Sequence, residues 1–211
     1  GGGKAAGLAF DEQWEASDVE AGPLPALFLR EVSSELEAMP VPLGLYLGSD
    51  NPINPSNRFT EETLITFQQM VTAREPVIQA LDGYGEVGMF PDIASAKPCV
   101  SCHNEHPDTP KTDWQLGDVM GATTWTWPAS HLSEQEFSNA LRSTYNAVAL
   151  AYRNYLQKTT VFAKPPTIGQ DWPSADRYSL PSVEVFMAKV ISESAPEVIS
   201  RSLRTEKTSW N

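Results

Sequence analysis

Both cysteines of this 211-residue chain lie in one pentapeptide, Cys99-Val100-Ser101-Cys102-His103. A chain of this length can bury a sizeable hydrophobic core without disulfides, so the sequence excludes a small scaffold held together by disulfide bonds. All thiol chemistry of the protein therefore belongs to this one segment, and the interpretation of function starts from it.

The chain is strongly acidic, with 15 Lys and Arg against 27 Asp and Glu and a formal net charge of -12. This charge repels nucleic-acid phosphates and anionic lipid head groups. Apolar residues occur in short runs, whereas a membrane-spanning helix needs about 20 in succession. We therefore expect a soluble, folded chain without a nucleic-acid partner. Residues 1–4 lack the features of a secretory signal, and the leading glycines are expected to be an expression remnant.

Hydrophobic periodicity and turn residues predict the secondary structure. Residues 133–136 form a capping-box sequence, and Asp82-Gly83 favours a tight hairpin turn. Leu64, Phe67 and Val71 share one face of the second predicted helix. The predicted elements are a helix over 23–39, a strand over 41–48, a rigid turn over 51–57, a helix from 60, a hairpin of 76–81 and 86–93, a loop carrying the cysteines, a strand over 119–127, a long helix after 133, a loop over 164–181, and short helices over about 183–192 and 196–205. This order predicts an α+β fold, a PAS-like antiparallel sheet flanked by helices, with a helical C-terminal extension.

Cys-x-x-Cys-His is the attachment signature of c-type haem, in which both thiols bond to the porphyrin and the adjoining imidazole binds the iron. The two intervening residues let both sulfurs reach neighbouring vinyl groups. We therefore expect one covalently attached haem c, with Cys99 and Cys102 as attachment residues and His103 as the metal ligand. Because such attachment takes place outside the cytoplasm, the motif also predicts a periplasmic or other extracytoplasmic location.

Three other interpretations of the segment stay open. A dithiol redox pair would normally open a helix in a βαβ unit, and the residues around Pro98 are a poor helix start. A zinc site would combine Cys99, Cys102 and His106, but tetrahedral sites place their second ligand pair a dozen or more residues further on. In the last interpretation, the two cysteines have no chemical role.

Two separated motifs stand in a characteristic order. The first is Asn51-Pro52-Ile53-Asn54-Pro55-Ser56-Asn57, preceded by Leu45-Tyr46-Leu47-Gly48-Ser49-Asp50 and followed by Phe59 and Glu62; the second is residues 99–114, followed by Leu116-Gly117-Asp118-Val119-Met120-Gly121. The first resembles the Asn-Pro-x-Asn-Pro-x-Asn element, and the second the haem loop and returning strand, of the single-haem, PAS-like extracytoplasmic sensor domains of bacterial signal-transduction receptors.

The resemblance implies a ligand- or redox-responsive input domain of the kind found ahead of histidine kinases, nucleotide cyclases or chemoreceptors, and it implies no enzyme activity. It covers about 23–128, a PAS-like haem sensor domain between an N-terminal segment, 1–22, with a helix, and a helical extension, 129–211. Many members enter a membrane helix soon after the returning strand, whereas this extension continues without one. The chain is thus either a sensor domain excised from a receptor tethered to the inner membrane or a free-standing periplasmic protein.

The iron position opposite His103 decides between electron transfer, which a strong side-chain ligand favours, and binding of a small ligand at an open site. The sequence leaves this position undecided, although Met39, Met70 and Met187 are expected to serve packing. The candidate ligands are His106, His131, Met39, Met70, Met89, Met120 and Met187, and the candidate partners of the haem propionates are Arg58 and Lys111.

The function expected from these observations is a periplasmic sensor that detects redox state or a diatomic ligand at haem iron. It would relay the signal to an output module or membrane receptor, and the long helix after Ser133 would dock on its own sheet or on a second copy of the chain. The alternative is a monohaem electron-transfer cytochrome, for which the sheet and extension exceed what one haem requires. A peroxidase would need a distal His and Arg pair, for which the chain's 3 histidines offer no strong candidate.

Overall fold

The computed structural model describes the backbone of residues 2–206 and the side chains of residues 3–194. The chain forms two compact units, one of residues 29–147 and the other of the described parts of 1–28 and 148–211. The helices are α1 Gly2–Ala5, α2 Pro25–Glu37, α3 Glu61–Ala73, α4 Lys97–Glu105, α5 Glu134–Thr159 and α6 Val183–Glu206. The strands are β1 Phe10–Asp11, β2 Gly22–Pro23, β3 Gly44–Gly48, β4 Val77–Leu81, β5 Gly85–Ile93, β6 Val119–Trp127, β7 Thr167–Gly169 and β8 Ser179–Pro181.

The unit of residues 29–147 is built on a four-stranded sheet in the order β3-β6-β5-β4, and every pairing in it is antiparallel. β6 lies centrally, with Thr124 opposite both Tyr46 on β3 and Met89 on β5. The register shifts between Asp92 and Ile93, at the end of β5 that leads towards the cysteine segment. The structure confirms the predicted α+β class and antiparallel sheet, whereas the PAS-like arrangement stays a prediction.

Helix α3 packs on the sheet and forms with it a hydrophobic core, here called the sheet core. The buried face of α3 includes two threonines, Thr63 and Thr66, in addition to Phe67 and Met70. Phe67 of the predicted apolar face is thus buried, whereas Val71 is 37% exposed. The buried residues of the sheet core are Phe59, Phe67, Met70, Val87, Met89, Val119 and Ala122.

The two turns predicted in this unit, the rigid turn over 51–57 and the hairpin turn at Asp82-Gly83, are confirmed. Gly83 and Gly85 flank Tyr84 in the hairpin turn with φ of 77°, a conformation that glycine adopts without strain. In the asparagine- and proline-rich turn, the Asn54 side chain accepts a hydrogen bond from the Ser56 backbone N–H at 3.0 Å. A single 3-10 turn, Pro55–Asn57, follows, as φ-restricted prolines and Asx turns favour.

The second unit contains the C-terminal half of α5. Tyr152 and Tyr155 on α5 pack with Leu8, Trp14, Leu156 and Leu180, and the Tyr152 ring stacks on Phe186 with centroids 3.9 Å apart. Burial raises the pKa of Tyr155 to about 12. The capping box is confirmed at the start of α5, where the backbone N–H groups of Ser133 and Glu136 each donate to the other residue's side chain.

Two predictions for the C-terminal region were wrong. The predicted loop over 164–181 contains β7 and β8, which pair in parallel, because three-residue strands are too short to show a hydrophobic period. The two predicted short helices are one continuous α6, since a proline in a helix removes one backbone hydrogen bond without always ending it. Among the described helices, none combines the length and hydrophobicity needed to cross a lipid bilayer.

Candidate functional site

The cysteine segment folds as helix α4 and not as the predicted loop. Pro98 lies in the first helical turn, where proline is favoured because its missing N–H has no intrahelical partner in any case. The argument that Pro98 makes a poor helix start was therefore wrong, and it no longer weighs against a dithiol redox pair. However, α4 connects two antiparallel strands, β5 and β6, and is not the crossover helix of a βαβ unit.

Helix α4 rests on a small hydrophobic cluster, here called the α4 cluster. Its buried members are Ala94, Trp114 and Met120, and Cys99 and Val100 of α4 pack against them. Cys99 is half-buried and Cys102 is exposed. The structure describes every residue of α4, and none of its side chains is buried. The helix therefore gains little stability from packing.

His103 follows the second cysteine and lies against the α4 cluster. Its ring is edge-on to Trp114, with ring centroids 6.5 Å apart and an interplanar angle of 87°. Its Nδ1 is buried and makes no hydrogen bond within the described residues. Burial lowers the pKa of His103, and the neighbouring charge of His106 lowers this pKa further. Both effects favour the neutral imidazole, the form that binds a metal.

A side-chain clamp connects the end of α4 to the segment that returns towards β6. The Asn104 Nδ2 donates to the Trp114 carbonyl at 3.0 Å, and the Trp114 N–H donates to Asn104 Oδ1 at 2.9 Å. The Lys111 Nζ lies 4.6 Å from the centroid of the Trp114 ring and forms an ion pair with Asp113. These contacts fix the tryptophan from its backbone and from one ring face.

The clamp was missed by the sequence reasoning. No periodic pattern relates Asn104 to Trp114, and the two-way hydrogen bond depends on how the intervening loop folds back. The only signal in the sequence is an amide side chain close after His103, at the end of the segment. That signal is too common to identify a clamp.

The structure separates the candidate second ligands. Met120 belongs to the α4 cluster, whereas Met70 and Met89 are buried in the sheet core. His106 ends α4, and its Nδ1 accepts a hydrogen bond from the Asp108 N–H at 3.1 Å. The remaining candidates lie elsewhere: Met39 just after α2, His131 exposed between β6 and α5, and Met187 in α6 of the other unit.

The structure also locates the charged candidates, Arg58 and Lys111, and bears on the zinc interpretation. Arg58 donates through its guanidinium to the Asp50 carbonyl at 3.0 Å, and Lys111 covers Trp114 as described. Within the described residues, no three His, Cys, Asp or Glu side chains converge in a group able to hold a metal ion. This finding speaks against a zinc site formed by Cys99, Cys102 and His106.

A protein-family model described as Tll0287-like (Tll0287) matches residues 8–128. This match spans more than half of the chain and includes α4, its cluster and the four-stranded sheet. The chain belongs to the Tll0287-like family. Membership of the Tll0287-like family is compatible with a cytochrome-like domain that binds haem. Searches of curated proteins and of solved structures found no match.

Proposed function

We propose that this Tll0287-like chain is a c-type haem-binding sensor domain. The observation that carries the proposal is the helical fold of the cysteine segment. On a helix, residues separated by three and four positions share one face, so Cys99, Cys102 and His103 present two thiols and an imidazole on the same side of α4. Covalent haem attachment requires two thiols that bond to the porphyrin and one imidazole that binds the iron.

The surroundings of this face fit a haem group. The buried Nδ1 of His103 and the buried Nε1 of Trp114 have no hydrogen-bond partner among the described residues, which is uncommon for buried polar atoms in a finished core. The α4 cluster supplies an apolar wall, as a porphyrin face prefers. Haem bound there would supply iron that changes oxidation state or takes up a small ligand.

The chain's own residues have separate tasks in this proposal. Cys99 and Cys102 hold the porphyrin through thioether bonds, and His103 binds the iron through its imidazole. Trp114 and Met120 exclude water from the apolar side of α4. Asn104 connects α4 to the segment before β6, so a displacement of the helix would be transmitted directly to the sheet.

A sensing role is supported by the extent of structure beyond the attachment segment. A signal requires two packings of the protein with different affinity for the two states of the iron. Helix α4, with no buried side chain among its described residues, is a weakly packed element that such a change would move at low cost. We propose that the signal is redox state or a diatomic gas, that the protein has no enzyme activity, and that it relays the signal to an output module, a membrane receptor or a second copy of the chain.

Haem c attachment also determines the proposed location. The thioether bonds form outside the cytoplasm, so the chain is assigned to the periplasm or an equivalent compartment. Tethering of the full-length protein to the inner membrane is part of the same proposal.

A monohaem electron carrier is the second candidate; of the candidate methionine ligands, Met120 is the one in the α4 cluster. A thioether sulfur in the cluster beside α4 is a suitable strong ligand, and a firmly six-coordinate iron serves electron transfer better than gas binding. Carbon monoxide separates the two functions. A Soret band of the reduced protein that moves on adding the gas supports a gas sensor, whereas an unmoved band supports the electron carrier or a purely redox-based sensor.

Attachment is tested by expressing the chain in the periplasm together with a c-type haem maturation system. Wild-type protein should gain the mass of one haem and retain haem peroxidase stain on a denaturing gel. The Cys99→Ala/Cys102→Ala double variant should lose both signals, whereas Ser101→Ala, which alters one of the two residues between them, should retain both. An unchanged intact mass of the wild-type protein would overturn the proposal.

A further inference from the structure

Within the described residues, His103 makes no hydrogen bond of the kind that usually fixes a metal-binding imidazole. Such an imidazole almost always donates from its second ring nitrogen to a carboxylate, a carbonyl or water, and this bond fixes the orientation of the ring. The Nδ1 of His103 is buried but makes no such bond within the described residues. The contact that the structure gives this ring is a packing contact.

The packing partner is Trp114. Its side chain is 6% exposed, and the two rings meet edge to face at 6.5 Å and 87°. Aromatic pairs are stable at centroid separations of about 4.5–7 Å, and the edge-on arrangement is one of their two preferred geometries. Rotation of the imidazole about its Cβ–Cγ bond would break this contact. A bulky, buried neighbour thus restricts His103 in place of a hydrogen bond.

Trp114 is itself held in place from three sides. Its backbone N–H and carbonyl are both bonded to the side chain of Asn104, the residue that directly follows His103. The Lys111 ammonium lies over its ring, and Met120 packs against it in the α4 cluster. Because Asn104 lies on α4 itself, Trp114 and the helix carrying His103 are joined, and the two rings keep their relative position when the helix moves.

Resting on the haem attachment proposed above, we infer that Trp114 is the positioning residue that sets the orientation of the His103 imidazole towards haem iron. Asn104 and Lys111 keep the Trp114 ring in place. No described residue accepts a hydrogen bond from the His103 Nδ1, so the orientation of this imidazole depends on its contact with Trp114.

The test on the unloaded full chain compares Trp114→Leu with Trp114→Phe and Trp14→Leu. Trp14 is a matched control because it is also 6% exposed but lies in the other unit, packed on Tyr155. The ring-proton resonances of His103, followed by NMR, should move towards the values of free histidine in Trp114→Leu. They should stay close to wild type in Trp114→Phe, which retains an aromatic wall, and in Trp14→Leu.

In the haem-loaded protein, Trp114→Leu should lower the equilibrium constant for reduction about tenfold, which is about 59 mV for a one-electron couple, because water then reaches the iron site. The ferric EPR spectrum should change from one low-spin signal to several, as the imidazole takes more than one orientation. Trp114→Phe should restore a single signal and a near-wild-type potential. Trp14→Leu should leave both readouts unchanged.

Unchanged His103 resonances and an unchanged EPR spectrum in Trp114→Leu would overturn the inference, and so would equal changes in Trp14→Leu. If Trp114→Leu does not fold, Asn104→Ala takes its place, since it leaves the ring intact and removes both backbone bonds. Altered His103 resonances in folded Asn104→Ala support the inference, and unaltered ones contradict it. Failure of the proposed function is distinguishable, because wild-type protein would then carry no haem at all.

Discussion

Helices α3 and α4 lie in the same unit but are related to its core in opposite ways. Helix α3 buries two hydroxyl and two apolar side chains against the sheet, whereas α4 buries none among its described residues. The sheet core explains why α3 has its sequence. Helix α4 is instead joined to the segment before β6 by the Asn104–Trp114 clamp, and only Cys99 and Val100 of its side chains pack on the α4 cluster.

The largest expected difference between the helices is in stability. Phe67 is buried in the sheet core and its ring lies 4.9 Å from that of Phe59, so Phe67→Ala should lower the free energy of unfolding by about 3–5 kcal/mol. Val100→Ala in α4 removes half-buried groups and should cost about 1 kcal/mol. Urea denaturation followed by tryptophan fluorescence measures both. Equal losses would break the comparison, since α4 would then contribute as much packing as α3.

The tight packing of the sheet core can be probed from the opposite direction by adding one carbon atom. A Cβ on Gly48 would lie 2.1 Å from the Phe59 ring, so Gly48→Ala should destabilise the protein by about 1–3 kcal/mol through overpacking. Gly169 is the control, because nothing lies within 4 Å of a Cβ built there. Thermal unfolding curves should shift to lower temperature for the first variant only. A neutral Gly48→Ala would mean that this side of the core can relax.

A smaller effect is expected at the clamp. Asn104→Ala removes the partners of the Trp114 N–H and carbonyl, and we expect a loss of about 1–2 kcal/mol because these groups are only partly buried. The Trp114 amide should exchange with deuterium faster in this variant. Gln115→Ala changes an exposed neighbour and should leave that exchange rate unaltered. An unaffected Trp114 amide in Asn104→Ala would show that α4 is positioned by its cluster alone.

The features that the sequence predicts well are those specified locally. The capping box at Ser133, the hairpin turn at Gly83 and the strand over 119–127 each depend on residues that are close together in the chain. The α4 segment was predicted as a loop because its helix has no apolar periodicity, and Pro98 reads as a helix breaker unless it is known to lie in a first turn. The Cys-x-x-Cys-His motif therefore identifies the candidate site, but not its surroundings. Asn104, Trp114 and Met120 meet there only because the chain returns through β6, and such long-range contacts leave no local pattern.

The smallest expected effect on stability is that of Asp92, which lies near the end of β5, before the segment that leads to α4. Its carboxylate accepts a hydrogen bond from the Thr123 hydroxyl at 3.0 Å, but burial is the larger influence and raises the pKa of Asp92 above its ordinary value of 3.8. The folded protein therefore binds this proton more tightly than the unfolded chain does. Stability should fall as the pH rises from the ordinary pKa through the raised pKa.

Asp92→Asn should remove this part of the pH dependence and be more stable than wild type at neutral pH, whereas Asp82→Asn, in the exposed hairpin turn, should behave as wild type. The measurement is the urea midpoint of unfolding across the acidic pH range. A midpoint that rises with pH in wild type, but not in Asp92→Asn, would contradict the prediction, because it would mean that the Asp92 carboxylate is stabilised in the folded state.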